Sequence, residues 1–273
     1  LVDEHTLLVV VSQSGETADT IAAMKECKAR GARVLAIVNV VGSTIAKLAD
    51  DVVYTWAGPE IAVATTKGYT TQVAVMDMLA VYLARRLGRL DDAKNKELVD
   101  AILQFPSLIQ RSIDLNPNLP ALAEKYHSHN DVFFIGRNLD YAASMEGSLK
   151  LKEISYLHSE AYAAGELKHG TIALIEKGRP VVALACYETL FDKMMSNIKE
   201  VKARGAQVLA VVLEGNRQIF AEADDVIFVP RTKEIFNTLP EIVPLQLFAY
   251  YVAKANGCAI DKPKNLAKSV TVE

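Results

Sequence analysis

The chain has 273 residues, 51% hydrophobic and 23% charged, with 30 Lys and Arg against 33 Asp and Glu. That length fits one large domain or two small ones with a core that needs no metal or disulfide staples. The net charge of −3 argues against nucleic acid, and no apolar run reaches the ~20 residues of a membrane helix.

The first residues, Leu1-Val2-Asp3-Glu4-His5, show no start Met and no signal-peptide pattern, so the sequence reads as part of a longer chain. Residues 6–11 are a short apolar run, the pattern of a buried strand. Residues 17–30 have helical spacing, with Gly31 placed to end the helix. Strands follow at 33–38 and 51–54, then a long helix over 63–87 that stops before Gly88. Residues 91–129 read as helical, interrupted at Pro106, Pro117 and Pro120. A strand at 131–135 and a helix at 140–157 come next, and His158 ends that helix. The rest alternates: strand 181–185, helix 189–204, strands 207–213 and 225–229, helix 240–256. Alternation of this kind predicts an α/β fold with parallel sheets and right-handed crossovers.

The alternation is also a repeat. Lys25-Glu26-Cys27-Lys28-Ala29-Arg30-Gly31-Ala32 recurs as Lys199-Glu200-Val201-Lys202-Ala203-Arg204-Gly205-Ala206, 174 positions later. The same offset carries Ala49-Asp50-Asp51-Val52 onto Ala223-Asp224-Asp225-Val226, and Glu60-Ile61 onto Glu234-Ile235. The chain therefore holds two copies of one unit. Subtracting the offset from the 131–135 strand and the 140–157 helix leads to positions before residue 1, so the first unit is expected to lack its opening strand and helix. We divide the chain into a first domain over 1–113, a second over 114–262 and a tail over 263–273.

Ser12-Gln13-Ser14-Gly15-Glu16-Thr17 follows a strand and opens a helix. Hydroxyls, a glycine and free N–H groups at a helix N-terminus suit an oxyanion, although an ordinary Ser/Thr N-cap reads the same way. The loop has no Lys or Arg, so any binding charge comes from dipoles. The second copy has Cys186-Tyr187-Glu188-Thr189 in that place and lacks the hydroxyl cluster. Glu146, Lys150 and Glu153 share one helix face. They are either surface ion pairs or, because Leu149, Leu151, Ile154 and Leu157 surround them, a buried carboxylate set tuned for proton transfer. His169 lies between Gly165 and Gly170, with a side chain suited to proton transfer near neutrality. His127 and His129 stand in a polar stretch and read as solvated side chains, and His5 has no assignable role. Lys268 sits in a polar, proline-punctuated tail that is either a frayed end or a flap, and its amine could form a Schiff base with a ketose.

The loop 12–17 after a strand resembles that of the sugar-isomerase (SIS) fold, which binds phosphosugars. Three further motifs are similar to the isomerase half of the glutamine:fructose-6-phosphate amidotransferase family. They are Glu153-Ile154-Ser155-Tyr156, the run Glu160-Ala161-Tyr162-Ala163-Ala164-Gly165-Glu166-Leu167-Lys168-His169-Gly170, and the terminus Asn265-Leu266-Ala267-Lys268-Ser269-Val270-Thr271-Val272-Glu273. The resemblance covers the whole chain. It implies two SIS-type units, each a doubly wound parallel sheet flanked by helices. Ser12, Gln13, Ser14 and Thr17 would hold the phosphate of fructose 6-phosphate. A backbone carbonyl at Val63, a hydroxyl at Thr65 (the family has serine there) and the Ala267 backbone would touch the sugar. His169 would open the ring, reaching the site from the neighbouring subunit of a homodimer. Lys268 would form the Schiff base, and Glu153, with Lys150 beside it, would move the proton between C1 and C2 to give glucosamine 6-phosphate. Ammonia would come from a glutaminase domain that this sequence does not contain, in a cytoplasmic enzyme with no cofactor or metal. Two other readings are a stand-alone phosphosugar isomerase and a non-catalytic sugar-phosphate sensor. A sensor has no use for Glu153, His169 and Lys268 together.

Overall fold

The computed structural model describes residues 1–269; the last four residues of the terminal motif, Val270 to Glu273, lie outside the described residues. The chain forms two compact units, Leu1–Ala80 with the tail from Lys264, and Val81–Pro263. No helix among the described residues is long and apolar enough to cross a membrane.

The first unit holds strands β1 (Leu7–Ser12), β2 (Arg33–Val38) and β3 (Asp51–Tyr54) in one parallel sheet of order β1-β2-β3. Helix α1 (Ala18–Ala29) joins β1 to β2, and a short α2 (Thr44–Leu48), unread in the sequence, joins β2 to β3. Val10, Met24, Val34, Ala36, Val38 and Ile45 form the buried core of this unit. Among the described residues β1 pairs on one side only, and Leu7, Val9 and Val11 on one face of it are exposed. Helix α3 (Lys67–Arg86) starts at Lys67 instead of the expected 63, because Glu60 Oε1 takes the Thr66 N–H at 2.9 Å and holds the preceding residues as a loop.

In the second unit the prolines begin helices as well as separating them. Pro106 lies in the first turn of α5 (Phe105–Asp114) and Pro120 in that of α6 (Leu119–Tyr126), where a missing N–H costs nothing. Helix α4 (Asp92–Leu103) precedes them, capped by the Asp91 side chain, which takes the Lys94 N–H at 2.7 Å. The sheet has five parallel strands in the order β5-β4-β6-β7-β8. These are β4 (Asp131–Gly136), β5 (His158–Ala163), β6 (Pro180–Ala185), β7 (Gln207–Leu213) and β8 (Asp225–Val229). β6 and β7 lie between neighbours on both sides, and every residue of β6 is buried, which is why it reads as an unbroken apolar run. β5 was not expected: His-Ser-Glu-Ala-Tyr-Ala is short, half polar and at the sheet edge, so it carries little apolar signal. Helix α8 (Phe191–Lys202) contributes Met194, Ile198 and Val201 to the core. Helices α7 (Leu139–Ser155) and α9 (Thr238–Ala255) pack on each other. The edge strand β8 is finished by a side chain: Asn116 Nδ2 donates to the Phe228 carbonyl and its Oδ1 accepts the Phe228 N–H, at 2.8 and 2.9 Å.

The repeat recurs in a side-chain contact. Asp50 accepts from Lys28 Nζ at 2.7 Å and from the Val34 N–H at 2.8 Å. Asp224, 174 positions on, accepts from Lys202 Nζ at 2.8 Å and from the Val208 N–H at 2.7 Å. Each aspartate ties the end of a helix to the strand that follows it. Gly31 and Gly205 end those helices at φ +96° and +89°, a conformation that favours glycine.

Candidate functional site

The first-unit site begins where β1 ends. Ser12 is buried, and its Oγ accepts the Gly15 N–H at 3.0 Å. Ser14 Oγ accepts the Glu16 N–H at 3.2 Å. Both hydroxyls keep their own O–H to donate. Gly15 has φ +68°, and a Cβ there would stand 2.1 Å from Ser43 Oγ, so the turn requires glycine. Glu16 Oε1 takes the Thr44 N–H at 2.8 Å, tying the loop to α2; the Thr44 hydrogen bonds hold its carboxyl below its ordinary range. Thr17 is the N-cap residue of α1, and its side chain makes no capping bond.

Gln13 and Ser14 line a cavity of about 510 Å³ with Asn39, Trp56, Glu60 and Lys268. Asn39 shapes its rim by taking the Ala57 N–H at 2.9 Å and donating to the Gly58 carbonyl at 2.9 Å. Lys268 Nζ donates to Glu60 Oε2 at 3.0 Å and to the Ala62 carbonyl at 2.7 Å. Burial works against ionising Glu60. The Thr66 amide, Lys268 and the Thr66 hydroxyl outweigh it and lower its carboxyl below the ordinary value. Gly68 lets α3 approach this cluster: a Cβ there would meet the Thr65 methyl at 2.9 Å and Gln13 Cγ and Glu60 Oε2 at 3.1 Å. Val63 and Thr65 lie in the loop before α3 and not on the helix, contrary to the sequence reading. Ala267 is exposed beside Lys268.

In the second unit, α7 places Glu146, Lys150 and Glu153 together. Lys150 is 4% exposed; its Nζ lies 2.5 Å from Glu153 Oε2 and 3.5 Å from Glu146 Oε1. The trio is thus a largely buried charge cluster and not a set of exposed surface ion pairs. Burial pushes the Glu146 carboxyl up to about 7, with Lys150 pulling the other way. His169 closes a single 3-10 turn, Leu167–His169, after β5, and is exposed; Gly170 follows at φ +153°. His127 Nδ1 pairs with Asn256 Oδ1 at 2.8 Å, and His158 Nδ1 with Asp131 Oδ1 at 2.9 Å, both structural contacts.

A family model for the SIS domain matches residues 1–82 and 125–254. The chain belongs to the SIS-domain family. Over its whole length this SIS chain is 54% identical to a glutamine–fructose-6-phosphate aminotransferase (isomerizing) of Clostridium tetani and 55% identical to that of Symbiobacterium thermophilum. It spans 45% of the length of each of those relatives. Among solved structures, the C-terminal domain of a glucosamine-fructose-6-phosphate aminotransferase from Francisella tularensis is 34% identical and superposes with a TM-score of 0.90. That alignment covers 96% of this chain and 75% of the other. The resemblance to the isomerase half of this family, made on the motifs, agrees with both comparisons.

The sequence reading of the SIS site passed over Glu60. Its only signal was the match of Glu60-Ile61 to Glu234-Ile235 in the repeat, which reads as structural. Glu234 does play a structural part, accepting the Thr189 N–H at 3.0 Å.

Proposed function

We propose that the chain is the isomerase part of a glucosamine-6-phosphate synthase, acting in the cytoplasm on fructose 6-phosphate. The observation that carries this reading is Lys268: a primary amine hydrogen-bonded to a buried carboxylate at the edge of a cavity that also presents Gln13 and Ser14. Ser12, Gln13, Ser14 and Thr17 bind the phosphate through hydroxyls and the N-terminal amides of α1. Val63, Thr65 and Ala267 contact the sugar. His169, supplied by the neighbouring subunit of a homodimer, protonates the ring oxygen as the ring opens. Lys268 then condenses with the C2 carbonyl, releasing water, and Glu60 stabilises the positive iminium. Ammonia, delivered by a glutaminase domain elsewhere in the full-length protein, adds at C2 and displaces Lys268. Glu153 carries the proton from C1 to C2, which turns the ketose imine into the aldose amine. Lys150, fixed between Glu146 and Glu153, orients the base.

The loop assignment is tested by calorimetry with fructose 6-phosphate. Ser14→Ala and Thr17→Ala should each weaken binding roughly tenfold or more, the loss of one charge-assisted hydrogen bond of ~1.5–3 kcal/mol. Unchanged affinity in both variants would move the phosphate elsewhere. For Glu60, replacement by Gln should slow formation of the Lys268 imine while leaving inorganic phosphate affinity unchanged. If imine formation keeps its rate, Glu60 only closes the loop before α3.

A further inference from the structure

We propose that the second unit carries a ligand site of its own, for a hexose 6-phosphate, in the crevice at the carboxyl ends of β6 and β7. A cavity of about 370 Å³ opens there, between Ala185 at the end of β6 and Leu213 at the end of β7. In an open parallel sheet this is the side on which ligands bind. The repeat places it where the first unit has its own cavity: Glu188 stands at the position of Ser14 and Leu213 at that of Asn39, while Arg231 falls at Ala57, between Trp56 and Gly58 of the first cavity's lining. The two copies have thus kept the crevice and changed its chemistry.

The new lining defines the ligand. The first-unit loop has no cation, whereas the second crevice presents the guanidinium groups of Arg217 and Arg231. Arg231 is held in place: Nη1 donates to Glu188 Oε1 at 2.7 Å and Nε to the Glu214 carbonyl at 3.3 Å. Arg217 makes no ion pair among the described residues. It follows Asn216, whose Oδ1 accepts the Ile219 N–H at 3.2 Å and leaves Nδ2 to donate. Two guanidinium groups suit a phosphate. Glu188 and Asp192 line the same space and would repel a bare anion, but they accept hydrogen bonds from hydroxyls. A compound with one phosphate and several hydroxyls satisfies both sets. The volume fits a six-carbon sugar phosphate at the small end of ligand cavities.

The test is calorimetric titration of the chain with fructose 6-phosphate and with glucose 6-phosphate. The expected result is two sites per chain. Replacing Arg217 and Arg231 together by Gln should remove one of them, or weaken it at least about tenfold, with the melting temperature unchanged because both side chains are exposed. Ser14→Ala with Thr17→Ala should affect only the other site, so failure of the first-unit reading is separable from failure of this one. A second site that survives the double arginine replacement would overturn the proposal. So would a single site in the unaltered chain that is indifferent to the arginines. Inorganic phosphate binding at the arginines as tightly as the hexose phosphates would show a simple anion patch and overturn it equally.

Discussion

Lys268→Arg is expected to abolish isomerisation while leaving most of the affinity for fructose 6-phosphate. Arginine keeps the positive charge beside Glu60, but its guanidinium does not condense with a ketone to form the imine. The amine of Lys268 reaches Glu60 and the Ala62 carbonyl, contacts that an arginine can partly reproduce, so the fold of the first unit should survive. Borohydride added with fructose 6-phosphate should reduce the imine and label the protein once, on Lys268. Lys264, four positions earlier, serves as the control and should tolerate the same replacement. A label found on Lys150, or normal turnover by the Lys268→Arg protein, would remove the Schiff base from this residue and leave the tail as a cover.

The largest effect on stability is expected at a pair of buried acids. Asp140, in the first turn of α7, is 1% exposed, and Glu241, in the first turn of α9, is 0% exposed. Asp140 Oδ2 accepts the Cys186 and Tyr187 N–H groups at 2.9 and 3.1 Å. Asp140 Oδ1 and both Glu241 oxygens receive no N–H or hydroxyl among the described residues. Two carboxyl groups in that setting cannot both ionise, so one proton stays on Glu241 and is donated to Asp140. Burial, reinforced by the Asp140 charge, raises Glu241 well above its ordinary value, and burial raises Asp140 to about 6. Glu234 adds like charge toward Asp140, and the buried Cys186 thiol, itself raised by burial, faces Glu241.

Both folded values lie above the unfolded ones, which fixes the sign. The contribution to stability is complete below the ordinary carboxylate range and is lost as pH rises through about 6 and beyond. Each pH unit over which the folded chain holds one proton more than the unfolded chain costs ~1.4 kcal/mol. Glu241→Gln supplies a permanent donor to Asp140 and removes that titration. Denaturant unfolding should therefore find it more stable than the unaltered chain at pH 8 and nearly equal at pH 4. Asp140→Ala should be destabilised at every pH, because the Cys186 and Tyr187 amides lose their acceptor, at ~1–3 kcal/mol each. A Glu241→Gln protein that is less stable at pH 8 and keeps the original pH slope would show that the pair is ionised.

The strands β1 to β4 and β6 to β8 lie within a residue or two of their expected bounds, because a short apolar run and a helix ended by glycine are written into short stretches of chain. The repeat, the loop 12–17 and the face of α7 with Glu146, Lys150 and Glu153 were legible for the same reason: each is a matter of spacing along the sequence. Strand β5 was not, since a short edge strand that opens with three polar residues has no apolar run to announce it. The start of α3 was misplaced because a carboxylate, Glu60, captures the Thr66 amide, and hydropathy carries no trace of that bond. Long-range partners were decided only in three dimensions. Glu60 and Lys268 meet across 208 positions, and Asp140 reaches Cys186 across 46. Periodicity records which side of an element is buried. It does not record which polar group from a distant part of the chain arrives there, because that depends on the packing of every element between them.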